Sequence, residues 1–348
     1  MFGESAGSLS ISLHHISPLS NGLFHRVIQQ SCTAIDPGWG PITPQKALSY
    51  AGLFSVELEC ATCIDAPQDA LTCLQGRRMA DIIGLTYLLG REGDLTPWMP
   101  VPDHDFTSEP FLPGDAENLL ESGMFNTEVD VIIGTNSDEG ILYLLDVLAD
   151  PSLWEERRNN FNITGTMNLF NIADKLDITA EDIEKAHKIV DFYVGSMNNM
   201  DESHKQGMFD MFTDSGFLYG TYKTINYLLK HGVTVYQYIL SYEGEHSFTE
   251  VFGVEPTGVC HADDLIYIWD MDLGLSGDDV SVREVMTIAW TNFAKYGDPT
   301  PPGSGLSWVP RAPNVDHKYY WNISGPVPSM DSSLEIQRRM EIWNEVVG

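Results

Sequence analysis

Apolar residues in this chain fall into short runs separated by stretches of helical spacing. Val129-Asp130-Val131-Ile132-Ile133-Gly134 predicts a strand, ended by the turn formers Thr135-Asn136-Ser137-Asp138. Val233-Thr234-Val235-Tyr236-Gln237-Tyr238-Ile239-Leu240, rich in β-branched and aromatic residues, predicts a stronger one. Val27-Ile28-Gln29-Gln30 predicts a short third. Between the two longer strands the spacing turns helical, near 150–230. There Thr179-Ala180-Glu181-Asp182 reads as a capping box opening a helix through about Tyr193. A late helix is expected near 281–296, before Gly297-Asp298-Pro299. Strands alternating with helices predict a doubly wound, mostly parallel α/β sheet with a helical insertion. No repeat, low-complexity tract or linker interrupts it, so residues 1–348 read as one domain.

Ahead of these elements stands Gly3-Glu4-Ser5-Ala6-Gly7, a G-x-S-x-G pentapeptide, followed by small residues and then a helical apolar pattern. That order predicts a nucleophile elbow, a sharp strand-to-helix turn presenting the Ser5 hydroxyl. Gly3 and Gly7 supply the small neighbours such a turn needs, and the helix start lends its positive end to developing negative charge. Only Met1-Phe2 remains of a preceding strand. A serine nucleophile of this kind needs an acid and then a histidine, each from a loop after a strand end. Glu139 in GTNSDEG and His261 in GVCHADDL satisfy that order, with Asp138 adjoining Glu139 as the competing carboxylate.

Composition narrows the partners. A 348-residue chain that is 43% hydrophobic can bury a substantial core. Its net charge of −31, from 50 acidic and 19 basic residues, argues against nucleic-acid or anionic-lipid binding and reads as a solvated acidic surface. No apolar run reaches the roughly eighteen residues of a membrane span, and residues 1–15 lack a signal-peptide pattern. Cys32, Cys60, Cys63, Cys73 and Cys260 are too dispersed for a metal site, since Cys60-x-x-Cys63 has no second pair. Asn162-Ile163-Thr164 and Asn322-Ile323-Ser324 are glycosylation sequons, so a secreted or secretory-lumen protein is expected.

FGESAG, LFHRVIQQS, GTNSDEG, VYQYILSYEGEH, GVCHADDL and WTNFAKYGDP resemble, in order, blocks of the type-B carboxylesterases, the cholinesterase-like branch of the α/β-hydrolase fold. The resemblance runs from residue 1 to about 345. It implies a serine carboxylic-ester hydrolase that works through an acyl-enzyme, with Ser5 as nucleophile, Glu139 as acid and His261 as base, no cofactor, and a small-molecule ester as substrate. It implies that the Ala6 N–H serves the oxyanion hole, that Ser31 hydrogen-bonds the acid–base pair, and that Glu4 is the usual neighbour of the nucleophile. It also implies a Cys60–Cys73 disulfide, with Cys63 an extra thiol and with Cys32 and Cys260 reduced and inaccessible. Cys32 stands where the family usually has glycine.

An ungapped reading puts Asp94 and Thr96 at the acyl-pocket positions, where acetylcholine-type enzymes carry aromatics and only Trp98 is aromatic here. Met340 replaces a late cholinesterase cysteine. Trp39 and Tyr143 resemble pocket-lining aromatics. Broad carboxylesterase specificity is therefore expected; the alternative is a non-catalytic cholinesterase-like adhesion protein. The family's HGG segment, upstream of the elbow, is absent. The chain thus reads as the C-terminal two-thirds or so of the fold, incomplete at its N-terminus, and these residues alone are expected to be poorly soluble and inactive.

Overall fold

The computed structural model describes residues 1–60, 66–91, 98–160, 179–312 and 320–348. Among the described residues, six strands form one sheet in sequence order: β1 (Phe2–Glu4), β2 (Arg26–Gln30), β3 (Asp130–Asn136), β4 (Val235–Leu240), β5 (Tyr320–Ile323) and β6 (Ser329–Asp331). The first five run parallel, and β6 returns antiparallel along β5. The three strands expected from the apolar runs are β2, β3 and β4. β1 is the strand remnant expected before the elbow, running to Glu4; β5 and β6 escaped the pattern because they are four and three residues long and carry polar positions such as Asn322 and Asp331. Asp130 and Val235, not Val129 and Val233, open β3 and β4.

Parallel strands need cover on both faces. On one face Ile28, Ile132, Tyr236, Tyr238 and Leu240 pack against Val282, Met286, Trp290 and Phe293 of the helix Gly277–Tyr296. On the other, Val27, Val131, Ile133 and Val235 meet Ile11 of the first helix, α1 (Ala6–Ile16), and Ile225 and Leu228 of the helix Tyr219–Lys230. Every residue of β4, the strand between β3 and β5, is buried.

The insertion is helical where described, at Trp154–Asn160, Ala180–Val194 and 205–230. Thr179 and Asp182 form the expected capping box. These helices and the final one, Leu334–Val346, enclose a third core built from Ile189, Met208, Phe212, Phe217, Met340 and Trp343. No helix among the described residues is long and apolar enough to cross a membrane.

The Cys60–Cys73 disulfide is present, tying the end of the helix Pro44–Glu57 to the helix Pro67–Gln75. Cys32 and Cys260 are buried free thiols. Cys63, Asp94, Thr96 and the Asn162 sequon lie outside the described residues. Asn322 sits inside the sheet on β5. Its Oδ1 accepts from Ser241 at 2.6 Å and its Nδ2, the atom a glycan would occupy, donates to Asp331 at 3.3 Å.

Candidate active site

The elbow begins with β1 pairing parallel to β2, which fixes Glu4 beside Gln30. The Ser5 N–H then donates to the Gln30 carbonyl at 2.9 Å, ending the ladder, and Ser5 turns into a left-handed backbone, φ 55°, before Ala6 starts α1. Gly3 is required at this turn: a Cβ there would lie 2.9 Å from the Gly7 carbonyl carbon. Gly7 is not, since a Cβ at that position meets nothing within 4 Å, which corrects the expectation that both glycines are needed for space. The Ala6 N–H lies in the first turn of α1, where the helix supplies no internal acceptor.

Three strand ends deliver their loops to Ser5. The His261 Nε2 lies 2.8 Å from the Ser5 Oγ, and its Nδ1 lies 2.6 Å from Glu139 Oε2. Glu139 is fully buried; its other oxygen accepts from the Ser31 hydroxyl at 2.5 Å and the Asn136 N–H at 2.7 Å. Ser31 therefore bonds the acid alone, on the side away from the imidazole. Asp138 stays out of the relay and braces it. Its Oδ2 accepts from Val259 N at 3.2 Å while its own N–H donates to Val259 O at 3.1 Å. That exchange joins the loop carrying Glu139 to the loop carrying His261.

The histidine loop is held from below by Asp263, which accepts from Cys260 N at 2.8 Å, Phe248 N at 2.7 Å and the Ser247 hydroxyl. Ser5, Ser31 and Ala262 all have left-handed φ values of 55°, 56° and 71° without being glycine. Such backbone costs on the order of 1–2 kcal/mol per residue and persists where the surroundings over-determine it.

Burial drives the electrostatics. Burial alone would push the His261 imidazole down; the hydrogen bond and charge of Glu139, with the charges of Glu4 and Asp264, push it up instead. Glu4 Oε1 is 3.2 Å from His261 Nε2. Burial raises the Glu4 carboxyl to about 8, opposed by His261 and reinforced by Asp264 and Glu139. Burial likewise lifts Asp264 to about 6, although Gln30 Nε2 donates to it at 2.6 Å and the Tyr238 hydroxyl at 3.2 Å. Asp264, Asn136 and Asp263 were missed in the sequence. Two consecutive aspartates one residue beyond His261, after Ala262, in a loop that must be buried to reach the elbow, were the available signal.

An aromatic wall stands beside the relay. The Phe217 ring lies 4.7 Å from the His261 ring, and Trp39 Nε1 donates to the Tyr143 hydroxyl at 2.8 Å, next to Phe212 and Phe217. Trp98, by contrast, is exposed and packs on Phe54. Met340 is a core residue.

A sequence model described as "Carboxylesterase family" matches residues 1–343. Juvenile hormone esterase of Tribolium castaneum is 30% identical over 88% of this chain and 54% of its own length. Bile salt-activated lipase of Bos taurus is 28% identical over 99% of this chain and 56% of its own. The chain thus spans about half the length of the curated relatives it matches. Among solved structures, juvenile hormone esterase from Manduca sexta superposes with a TM-score of 0.82 at 22% identity, covering 99% of this chain and 64% of that one, which places the sheet and helices in the α/β-hydrolase fold. On a match that runs nearly end to end, this chain belongs to the carboxylesterase family.

Proposed function

We propose that this protein hydrolyses carboxylic esters through an acyl-enzyme on Ser5. The observation that carries the reading is the continuous Ser5–His261–Glu139 relay, 2.8 and 2.6 Å between partners, assembled from three separate strand ends. A chance contact of three such residues would not also strain the backbone at Ser5 and Ala262 to hold it.

In the first half-reaction the Ser5 Oγ attacks the ester carbonyl while His261 Nε2 takes its proton. Glu139, bonded to Nδ1, fixes the tautomer and stabilises the imidazolium. Collapse of the tetrahedral intermediate expels the alcohol, which receives that proton from Nε2. Water, deprotonated by the same nitrogen, then attacks the acyl-enzyme and frees the acid and Ser5. The Ala6 N–H is the donor this chain offers to the oxyanion; each such donor is worth on the order of 10²–10³ in rate.

Trp39, Tyr143 and Phe217 form an apolar wall beside His261, which supports broad specificity for apolar acyl or alkoxy groups. The disulfide supports an oxidising, secretory setting. The adhesion-protein alternative is disfavoured by the intact relay.

Labelling with a fluorophosphonate probe tests the reading. Wild-type protein carrying the family's HGG segment ahead of the elbow is expected to form a single adduct at Ser5, absent in Ser5→Ala, and to turn over short p-nitrophenyl esters. Loss of Ser5 or His261 is expected to cost on the order of 10⁶-fold, and Glu139→Gln about 10⁴-fold. Folded protein that takes no label at Ser5 would overturn it.

A further inference from the structure

The helix behind the aromatic wall is irregular at one place. It runs as α-helix over Lys205–Thr213, widens into a π turn over Asp214–Leu218, and resumes as α-helix at Tyr219. A π turn inserts one residue, gives up regular hydrogen bonding, and occurs frequently at functional sites. Here it is clamped from outside the helix. Asp214 is fully buried, and its carboxylate accepts from Arg339 Nε at 2.7 Å, from Arg339 Nη2 and from the Tyr193 hydroxyl. Arg339 Nη1 also lies 3.2 Å from Asp210 Oδ1, and Trp343 Nε1 donates to the Tyr193 oxygen at 2.8 Å. Two residues on, Gly216 passes under Tyr143, whose hydroxyl would lie 2.5 Å from any Cβ there. Phe217 follows and lays its ring on the imidazole of His261, tilted by 32°.

We propose that Arg339, Asp214 and the π turn they clamp are a positioning device that sets the plane of the His261 imidazole through Phe217. The bond from Nδ1 to Glu139 fixes one point of the ring but leaves it free to tilt about that bond. A flat aromatic face on one side removes the tilt and keeps Nε2 on the Ser5 hydroxyl. The same face attracts the ring once it is cationic. Deleting the inserted residue would rotate everything after it by about 100° about the helix axis, so Phe217 would no longer face His261. Arg339 reaches across 125 residues to Asp214, which makes the final helix part of the device. Its place in catalysis rests on the reading of His261 as base.

The test reads the imidazole itself, by NMR of the folded protein carrying the family's HGG segment ahead of the elbow. His261 also faces Glu139, Glu4 and Asp264, so each variant leaves those three untouched. Phe217→Leu is expected to remove the ring-current shift of the His261 Cε1 proton and to make the imidazole titrate roughly half a pH unit lower. Arg339→Lys, which keeps the charge but loses the two-pronged grip, is expected to move both signals the same way. Its effect should largely vanish on top of Phe217→Leu, because the two act in series. Lys185→Ala, which removes only an exposed pair with Glu181, should change neither. If Arg339→Lys does not fold, Tyr193→Phe loosens the same carboxylate more gently and carries the same expectation. A folded Arg339→Lys or Tyr193→Phe protein with wild-type His261 signals, or full additivity with Phe217→Leu, overturns the device. Absence of Ser5 labelling in wild-type protein would instead overturn the esterase reading and leave this test intact.

Discussion

Glu4 is the residue whose chemistry differs most from its appearance. With a carboxyl raised to about 8 it holds a proton at neutral pH, 3.2 Å from the nitrogen that must accept the Ser5 proton. Whenever that proton moves to His261, Glu4 becomes a carboxylate that stabilises the imidazolium and takes the base out of service. On the proposed reading neutral His261 is the base, and the folded pKa of that ring is raised, so kcat/KM should climb with pH through a value above the ordinary 6.5. Glu4→Gln removes the group that becomes a carboxylate when His261 takes the proton, so the acid limb should move to lower pH with the plateau retained. An unmoved limb in the pH–rate profile would refute the coupling. Ser5, Glu139 and His261 were legible in the sequence because an elbow imposes a chain order on its partners. The burial that protonates Glu4, and the contacts of Asp264 with Gln30 and Tyr238, are made by segments far apart and leave no local pattern.

The turn after β3 shows what an element contributes. Gly140 follows Glu139, and its N–H donates to Thr213 Oγ1 at 2.9 Å; a Cβ there would stand 2.2 Å from the Phe209 carbonyl oxygen. That obstacle is backbone and cannot give. Gly140→Ala is therefore expected to cost about 1–3 kcal/mol and to slow Ser5 labelling by shifting Glu139, both readable by denaturant titration beside labelling rates. The disulfide acts on a different element pair. Its 13-residue separation closes a small loop, so Cys73→Ser should cost about 2–3 kcal/mol while leaving the relay intact. Labelling at the wild-type rate with earlier unfolding is the expected pairing. Elements of seven or so residues built on an apolar run, such as β3, were visible in the sequence, whereas β5 was not. Its four residues overlap a glycosylation sequon and take their strand geometry from β4 and β6, with Trp321 stacked on Trp308 at 4.4 Å.

At the scale of the whole molecule, β1 pairs with β2, and beside it Phe2 and Trp269 stack on each other at 5.7 Å with both rings half exposed. Sheet order equals chain order, so each neighbouring pair of parallel strands is bridged by a crossover. The relay inherits that topology: Ser5 and His261 are 256 residues apart, His261 and Glu139 122. No locally folded segment can contain the site. Ser5 labelling should therefore disappear at the same denaturant midpoint as the far-ultraviolet circular dichroism, and labelling that outlasts the helices would show a site independent of the sheet. Time enters as well. At about 5–20 residues per second, a ribosome needs roughly 13–50 seconds to add the histidine after the serine. Throughout that interval Ser5 is an ordinary alcohol. On the proposed reading, the reactive centre switches on only when the chain's later half has docked, so a polypeptide abandoned midway through synthesis carries no stray nucleophile.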